Sequence, residues 1–181
     1  QYQKAKLQTS FNVEWISAGP VLNSARVEAV QGDPRNPGTM YIAFGSGNLW
    51  KTIDNGLTWK PIFENQPALG IGDIALAPSD SKIIYVGTGE SLRKNRNFTM
   101  PGTGIYRSDD SGDSWRHLGL ENTWHISEIA VHPTNPDIVL VAAMGKFWTK
   151  STSMGIYRTR NGGKTWDRVL FVNEKTRAND I

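Results

Sequence analysis

One eight-residue string occurs three times in this 181-residue chain, and it constrains the fold more than any other feature. Thr52–Trp59 reads TIDNGLTW, Ser108–Trp115 reads SDDSGDSW and Thr159–Trp166 reads TRNGGKTW. The closing tryptophans, Trp59, Trp115 and Trp166, are 56 and 51 residues apart. Each copy follows a short apolar-basic segment: Leu49-Trp50-Lys51, Ile105-Tyr106-Arg107 or Ile156-Tyr157-Arg158. A repeat of this length is one supersecondary unit, which buries its apolar face only by stacking on its neighbours.

The repeat extends upstream. Pro34, Pro78 and Pro133 each end an apolar stretch, and seven residues on stands the middle of a second apolar run, at Tyr41, Tyr85 and Leu140. Each unit therefore reads as four short strands. The first is Val27–Val30, Ile71–Leu76 or Ile126–Val131. The second is the apolar run, the third the apolar-basic segment, and the fourth follows the tryptophan. Turn chemistry at Asn36-Pro37, Asp80-Ser81 and Asn135-Pro136 separates the first two. Four antiparallel strands repeated at this period predict an all-β chain, a β-propeller of four-stranded blades. The expected divisions are 1–26 as an N-terminal segment with its leading strand, 27–66 as blade 1, 67–122 as blade 2, 123–172 as blade 3 and 173–181 as the start of blade 4. Ala178-Asn179-Asp180-Ile181 repeats the pattern of Ile71-Gly72-Asp73-Ile74, which would put Ile181 in the first strand of a fourth blade. Three blades do not close a ring, so the chain is expected to be part of a larger propeller.

The string has a mechanical rationale. An Asp or Asn side chain at Asp54, Asp110 and Asn161 can accept backbone N–H groups further along the turn. Gly56, Gly112 and Gly163 can take a positive φ. The hydroxyls of Thr52, Ser108 and Thr159 open the turn, and the tryptophan returns to cover it. These turns resemble the Asp boxes, or BNR repeats, of sialidases, xyloglucanase-type propellers and sortilin-like receptors. The chain is most similar to the bacterial secreted sortilin N-terminal / glycosyl-hydrolase BNR-repeat group. Trp15–Pro20 with Ser24–Val27 resembles that group's opening, and Gly87–Glu90 its second blade. The resemblance implies that the box residues are structural and lie away from the ligand face. It also implies a secreted, periplasmic or cell-surface location in a bacterium.

Connections alternate between the two faces of a four-stranded blade. The box turns share a face with the proline turns, and the opposite face carries the links between strands two and three. All the extra length of blades 2 and 3 falls there, at 89–102 and 145–153. Insertions on one face often mark the binding face. The ligand-binding candidates are Arg26, Glu90, Arg93, Arg96, His125, Lys146 and Trp148, with Phe98, Trp124 and Phe147 beside them. Arginine forks onto carboxylates, and aromatics stack on sugar faces or anchor peptides. Glu90 is the catalytic candidate. Hydrolysis of a glycoside needs two carboxylates flanking the bond, and Asp73, Glu128 and Asp180 fall at repeat positions that a scaffold role explains. Sialidases hold their substrate with three arginines, but Arg93 and Arg96 share one loop and do not supply that triad.

Net charge is +3, from 20 basic and 17 acidic side chains. It is spread out apart from Arg93, Lys94 and Arg96, without the dense basic stripe of a nucleic-acid module. There is no cysteine, hence no disulfide framework or thiolate metal site. No apolar run approaches the ~18–20 residues of a membrane span. No cofactor or metal is expected. The function expected is a sortilin-like propeller that binds a polypeptide or carbohydrate and contacts further blades of the same protein or of another chain. The alternatives are a sialidase- or xyloglucanase-like glycoside hydrolase with catalytic groups in other blades, and a structural subunit of an envelope assembly. Catalysis is the less favoured of these readings.

Overall fold

The computed structural model describes residues 25–91 and 98–181. Among these residues, twelve strands form three four-stranded antiparallel sheets in sequence order. The first holds β1 (Val27–Gly32), β2 (Met40–Phe44), β3 (Asn48–Thr52) and β4 (Lys60–Pro61). The second holds β5 (Ile71–Ala77), β6 (Asp80–Thr88), β7 (Ile105–Ser108) and β8 (Arg116–His117). The third holds β9 (Ile126–Val131), β10 (Val139–Ala143), β11 (Gly155–Thr159) and β12 (Asp167–Leu170). Strand β1 packs beside β5, and β5 beside β9, so the first strands of the blades gather on one side. The only helical element among the described residues is a 3-10 turn at Glu121–Thr123.

The core lies between blades. Tyr41, Leu49 and Phe63 of blade 1 meet Ile71, Ile84, Val86 and Tyr106 of blade 2 in one buried cluster. Tyr85 and Ile105 of blade 2 meet Ile126, Ile129, Val139 and Val141 of blade 3 in another. The second sheet thus buries both faces against neighbours, which is why its inner strands read as nearly continuous apolar runs, while the first and third sheets each meet one neighbour.

The box turns are built alike. The amides of Gly56, Gly112 and Gly163 donate to Thr52, Ser108 and Thr159 hydroxyls at 3.0, 2.8 and 2.9 Å. The amides of Thr58, Ser114 and Thr165 donate to Asp54, Asp110 and Asn161 at 2.9, 2.8 and 3.0 Å. The Thr58 hydroxyl and amide pull the Asp54 carboxyl down to about 2. Each box also bonds to its own blade's first turn, Asn55 to Gly38, Ser111 to Lys82 and Gly162 to Asp137. Both sets of turns therefore occupy one face.

The tryptophans do more than cover their hairpins. Trp115 Nε1 donates across the blade boundary to the Ile62 carbonyl at 2.8 Å, and Trp166 Nε1 to the Leu118 carbonyl at 2.9 Å. Trp59 instead donates to Gly56 in its own turn. Strand-two tyrosines and strand-three cations reach the other way. Lys51 donates to the Ser111 carbonyl, while Arg107 donates to the Tyr85 hydroxyl and to Asp137. Burial pushes the Tyr85 phenol up to about 12.

At the inner strands the blades approach very closely. A Cβ on Gly72 would collide with the carbonyl oxygens of Ile126 and Gly89. At the equivalent place in blade 3, Ser127 Oγ donates to the Ala178 carbonyl at 3.0 Å. Ala178 therefore stands to blade 3 as Ile126 stands to blade 2. Residues 171–181 have no strand pairing, so the strand expected around Ile181 is represented by this contact alone.

Candidate functional site

Each innermost strand opens with the same irregularity. The pairings Val27 with Phe44 and Ala29 with Ala43 skip Glu28; those of β5 skip Gly72, and those of β9 skip Ser127. A bulge of this kind re-aims one side chain, and bulges recur beside functional sites. Just before each bulge, the Arg26, Gly70 and His125 carbonyls accept the amides of Gly45, Gly89 and Met144. This ladder brings residues 26, 70 and 125 to the same mouth as the strand-two-to-three loops.

Arg26 is committed to this scaffold. Its Nε donates to Glu28 Oε1 at 2.6 Å, and its other arm binds Glu90 Oε1. Ser91 Oγ donates to Glu28 Oε2 at 2.7 Å, and the Met100 amide to Glu90 Oε2 at 3.2 Å. Every carboxylate oxygen of the pair has a partner within the protein. Glu90 is buried at 6% exposure. Arg26 and Glu90 thus come together, but as each other's partners, and Glu28 completes the group. The sequence signal for Glu28, its place two residues after Arg26, is visible only once the bulge is known. Arg93 and Arg96 lie outside the described residues.

The remaining candidates meet a few residues away. Trp124, His125, Lys146, Phe147 and Trp148 line one pocket of about 360 Å³, closed by Thr99, Pro101 and Thr149. Three loops distant in sequence build it. Trp124 sits at φ 60°, a left-handed conformation that is costly for a bulky side chain. Its carbonyl is held by the Gly102 amide at 2.7 Å, which ties the first insertion to the 3-10 turn. Arg177 donates to the Lys146 and Phe147 carbonyls and lies over the Phe147 ring, fixing the second insertion.

The chemistry of the pocket is aromatic and cationic. Trp148 is 62% exposed and Trp124 partly so. Lys146 Nζ stands 4.7 Å from the centre of the Trp124 ring. His125 is buried at 1% exposure against Phe147, ring centres 4.3 Å apart. Burial pushes its imidazole down to about 4. Its Nδ1 is buried and has no hydrogen-bond partner among the described residues. Among the described residues, no carboxylate lines the pocket. Phe98 lies nearby in sequence and is exposed.

The other acidic candidates are elsewhere. Asp73 Oδ2, on β5, accepts the Ile129 amide of β9 at 2.7 Å, a bond between blades 2 and 3. Burial raises its carboxyl to about 7, and neighbouring Glu128 adds to the effect. His117 Nε2 donates to the Thr103 carbonyl, and His132 Nδ1 accepts the amides of Thr134 and Asn135, so both organise local turns. No group of three or more His, Cys, Asp or Glu side chains able to hold a metal occurs among the described residues, and no described helix is long and apolar enough to cross a membrane.

Xyloglucanase Xgh74A of Acetivibrio thermocellus is 27% identical over 172 residues, covering 79% of this chain and 20% of that protein. A xyloglucanase of a Paenibacillus species is 25% identical over 179 residues, covering 81% and 16%. The chain thus spans about a fifth of the length of these relatives. Among solved structures, an ancestral GH74 enzyme superposes with a TM-score of 0.66 at 22% identity, over 86% of this chain and 19% of that one. YCF48 from Cyanidioschyzon merolae superposes with a TM-score of 0.55 at 16% identity, over 85% and 40%. YCF48 bound to D1 peptide gives 0.53 at 14% identity, over 82% and 41%. These likenesses establish the all-β propeller fold. The family model described as sortilin, neurotensin receptor 3, matches residues 47–178, and the chain belongs to this Sortilin-Vps10 family.

Proposed function

We propose that this chain is the binding part of a secreted or cell-surface bacterial propeller and that its insertion face holds a glycan without cleaving it. One observation carries the reading. The face offers an aromatic pocket with a lysine and no carboxylate, while Glu28 and Glu90 are both spent on Arg26. Inverting and retaining hydrolysis alike need two carboxyl groups with free access to one bond. Aromatic rings without paired acids suit retention of a ligand instead. The xyloglucanase relatives support a carbohydrate as the ligand class.

The test is a panel of neutral oligosaccharides, polysaccharides and unfolded polypeptides, presented to the full-length protein that contains this chain. Saturable glycan binding that weakens at least tenfold in Trp148→Ala supports the reading. Binding of polypeptides only, or of nothing, refutes it.

A second reading rests on Asp73 and Glu128. A carboxyl raised to about 7 beside another acid is the combination that acid catalysis of glycoside hydrolysis uses. The bond from Ile129 to Asp73 Oδ2 favours a role in joining blades. Sugar release that survives Glu90→Gln and disappears in Asp73→Asn would establish hydrolysis.

A further inference from the structure

The second insertion and the link that follows blade 3 form one surface. The Ser151 amide donates to the Glu174 carbonyl at 3.4 Å, and Arg177 donates to the carbonyls of Lys146 and Phe147. Residues 144–153 and 171–177 carry Lys146, Lys150, Lys175 and Arg177 against the single acid Glu174, a surplus as large as that of the whole chain. Among the described residues, none of these four cations enters an ion pair, whereas Arg26, Arg35, Arg107 and Arg116 each face an acid. Two of the four lie on rings instead. Lys146 Nζ is 4.7 Å from the centre of Trp124, and the Arg177 guanidinium is 5.2 Å from that of Phe147. A ring orients a cation without neutralising it, so the surface keeps a positive field. Trp148, 62% exposed, stands in the same pocket as Lys146. A second hollow of about 540 Å³ begins at Lys150, next along the chain from Thr149 of the first, and Lys175 also lines it.

We propose that this surface binds an anionic glycan, whose sugar rings lie on Trp148 and Trp124 and whose carboxylates or sulfates meet Lys146 and Lys150. This rests on the glycan-binding reading above and names the ligand class. Exposed indoles hold the C–H faces of sugars but tell one neutral sugar from another poorly. The ammonium groups supply the discrimination. A neutral glycan offers Lys146 only hydroxyl acceptors, while an anion makes a charge-assisted bond of about twice the strength. No acid of the protein has to be displaced first. A lysine is a point charge and takes carboxylate and sulfate alike, so charge carried on a sugar is the feature recognised. A single exposed ion pair contributes little. Two adjoining hollows, each with a lysine, therefore suit a polymer that repeats its charge along the chain. An acidic polypeptide would meet the lysines as well, but it brings no pyranose face to Trp148.

The experiment titrates the full-length protein by calorimetry with polygalacturonate and dextran sulfate, each beside its uncharged counterpart, methyl-esterified polygalacturonate or dextran. Poly-L-glutamate and oligodeoxythymidylate serve as polyanions that are not glycans. The expected result is binding of at least one charged glycan, at least tenfold tighter than its counterpart and weakening as sodium chloride rises from about 50 to about 500 mM. Lys146→Met should lose at least fivefold, and Lys146→Arg should keep the affinity. Lys164→Met removes the same charge from an exposed position in the third box turn, on the other face, and should change nothing. Trp148→Ala should lose at least tenfold. Melting temperature identifies a variant that fails to fold; if Lys146→Met does, Lys150→Met decides by the same fivefold loss. Charged-glycan binding that is unchanged in the folded lysine variant, or matched by either of the other polyanions, overturns the proposal. Equal binding of a charged glycan and its uncharged counterpart overturns it and leaves glycan binding standing. Binding of none of the four glycans overturns both.

Discussion

Replacing Trp115 by phenylalanine isolates what the box tryptophan does between blades. The indole N–H donates to the Ile62 carbonyl of blade 1 at 2.8 Å. Its ring meets Phe63 edge-on, centres 5.1 Å apart and planes at 80°. Phenylalanine keeps the edge contact but leaves the partly buried Ile62 carbonyl without this donor, worth roughly 1–2 kcal/mol. The lost second ring adds about 1 kcal/mol of packing. The expected cost is therefore about 2–3 kcal/mol. Trp59→Phe is the internal control, because Trp59 donates to Gly56 within its own exposed turn. That variant should lose no more than about 1 kcal/mol. Urea unfolding of the full-length protein, followed by far-ultraviolet circular dichroism, gives both values under one set of conditions. Equal losses at the two positions would refute the claim that Trp115 joins blades rather than finishing a hairpin.

Gly72→Ala should destabilise by more than about 3 kcal/mol or prevent folding, since its Cβ would strike backbone oxygens of Ile126 and Gly89 that no rotamer change can move; Gly32→Ala, with open space around the Cβ, serves as control in the same melts. Asp73 predicts an unusual pH profile. Its folded-state pKa, about 7, lies above the unfolded value, so its favourable protonation is complete below about pH 4 and is lost as pH rises towards 7. The upper bound on that loss is about 4 kcal/mol. Asp73→Asn should match wild type near pH 4 and exceed it near pH 8, and a pH-independent difference in chemical denaturation would contradict this. His125 acts in the opposite sense: its folded pKa, about 4, is depressed, so stability falls as pH drops below about 6.5, and His125→Phe should flatten that limb of the same profile.

The blades were legible in the sequence because local chemistry dictates them. Alternation, proline turns and the box string each act within a few residues, and the strands formed where those signals placed them. What the sequence left hidden depends on how one blade sits against the next. Trp115 and Ile62 are 53 positions apart, and no periodicity pairs them. The bulge at Glu28 is likewise a property of pairing with β2, and it converts Glu90 from a lone acid into half of a carboxylate pair clamped by Arg26. His125, Lys146 and Trp148 were recognisable as candidates by residue type and face. Their convergence with Thr99 and Pro101 required the turn at Trp124, whose positive φ no residue preference announces.

Reducing-end release under saturating ligand separates retention from cleavage. The full-length protein is incubated with the oligosaccharide it binds, alongside Glu90→Gln and Asp73→Asn, and new reducing ends are counted over many hours. The expected result is binding with no release above the protein-free control in any of the three. Steady release by wild type, abolished in either variant, would contradict it and make this face an active site.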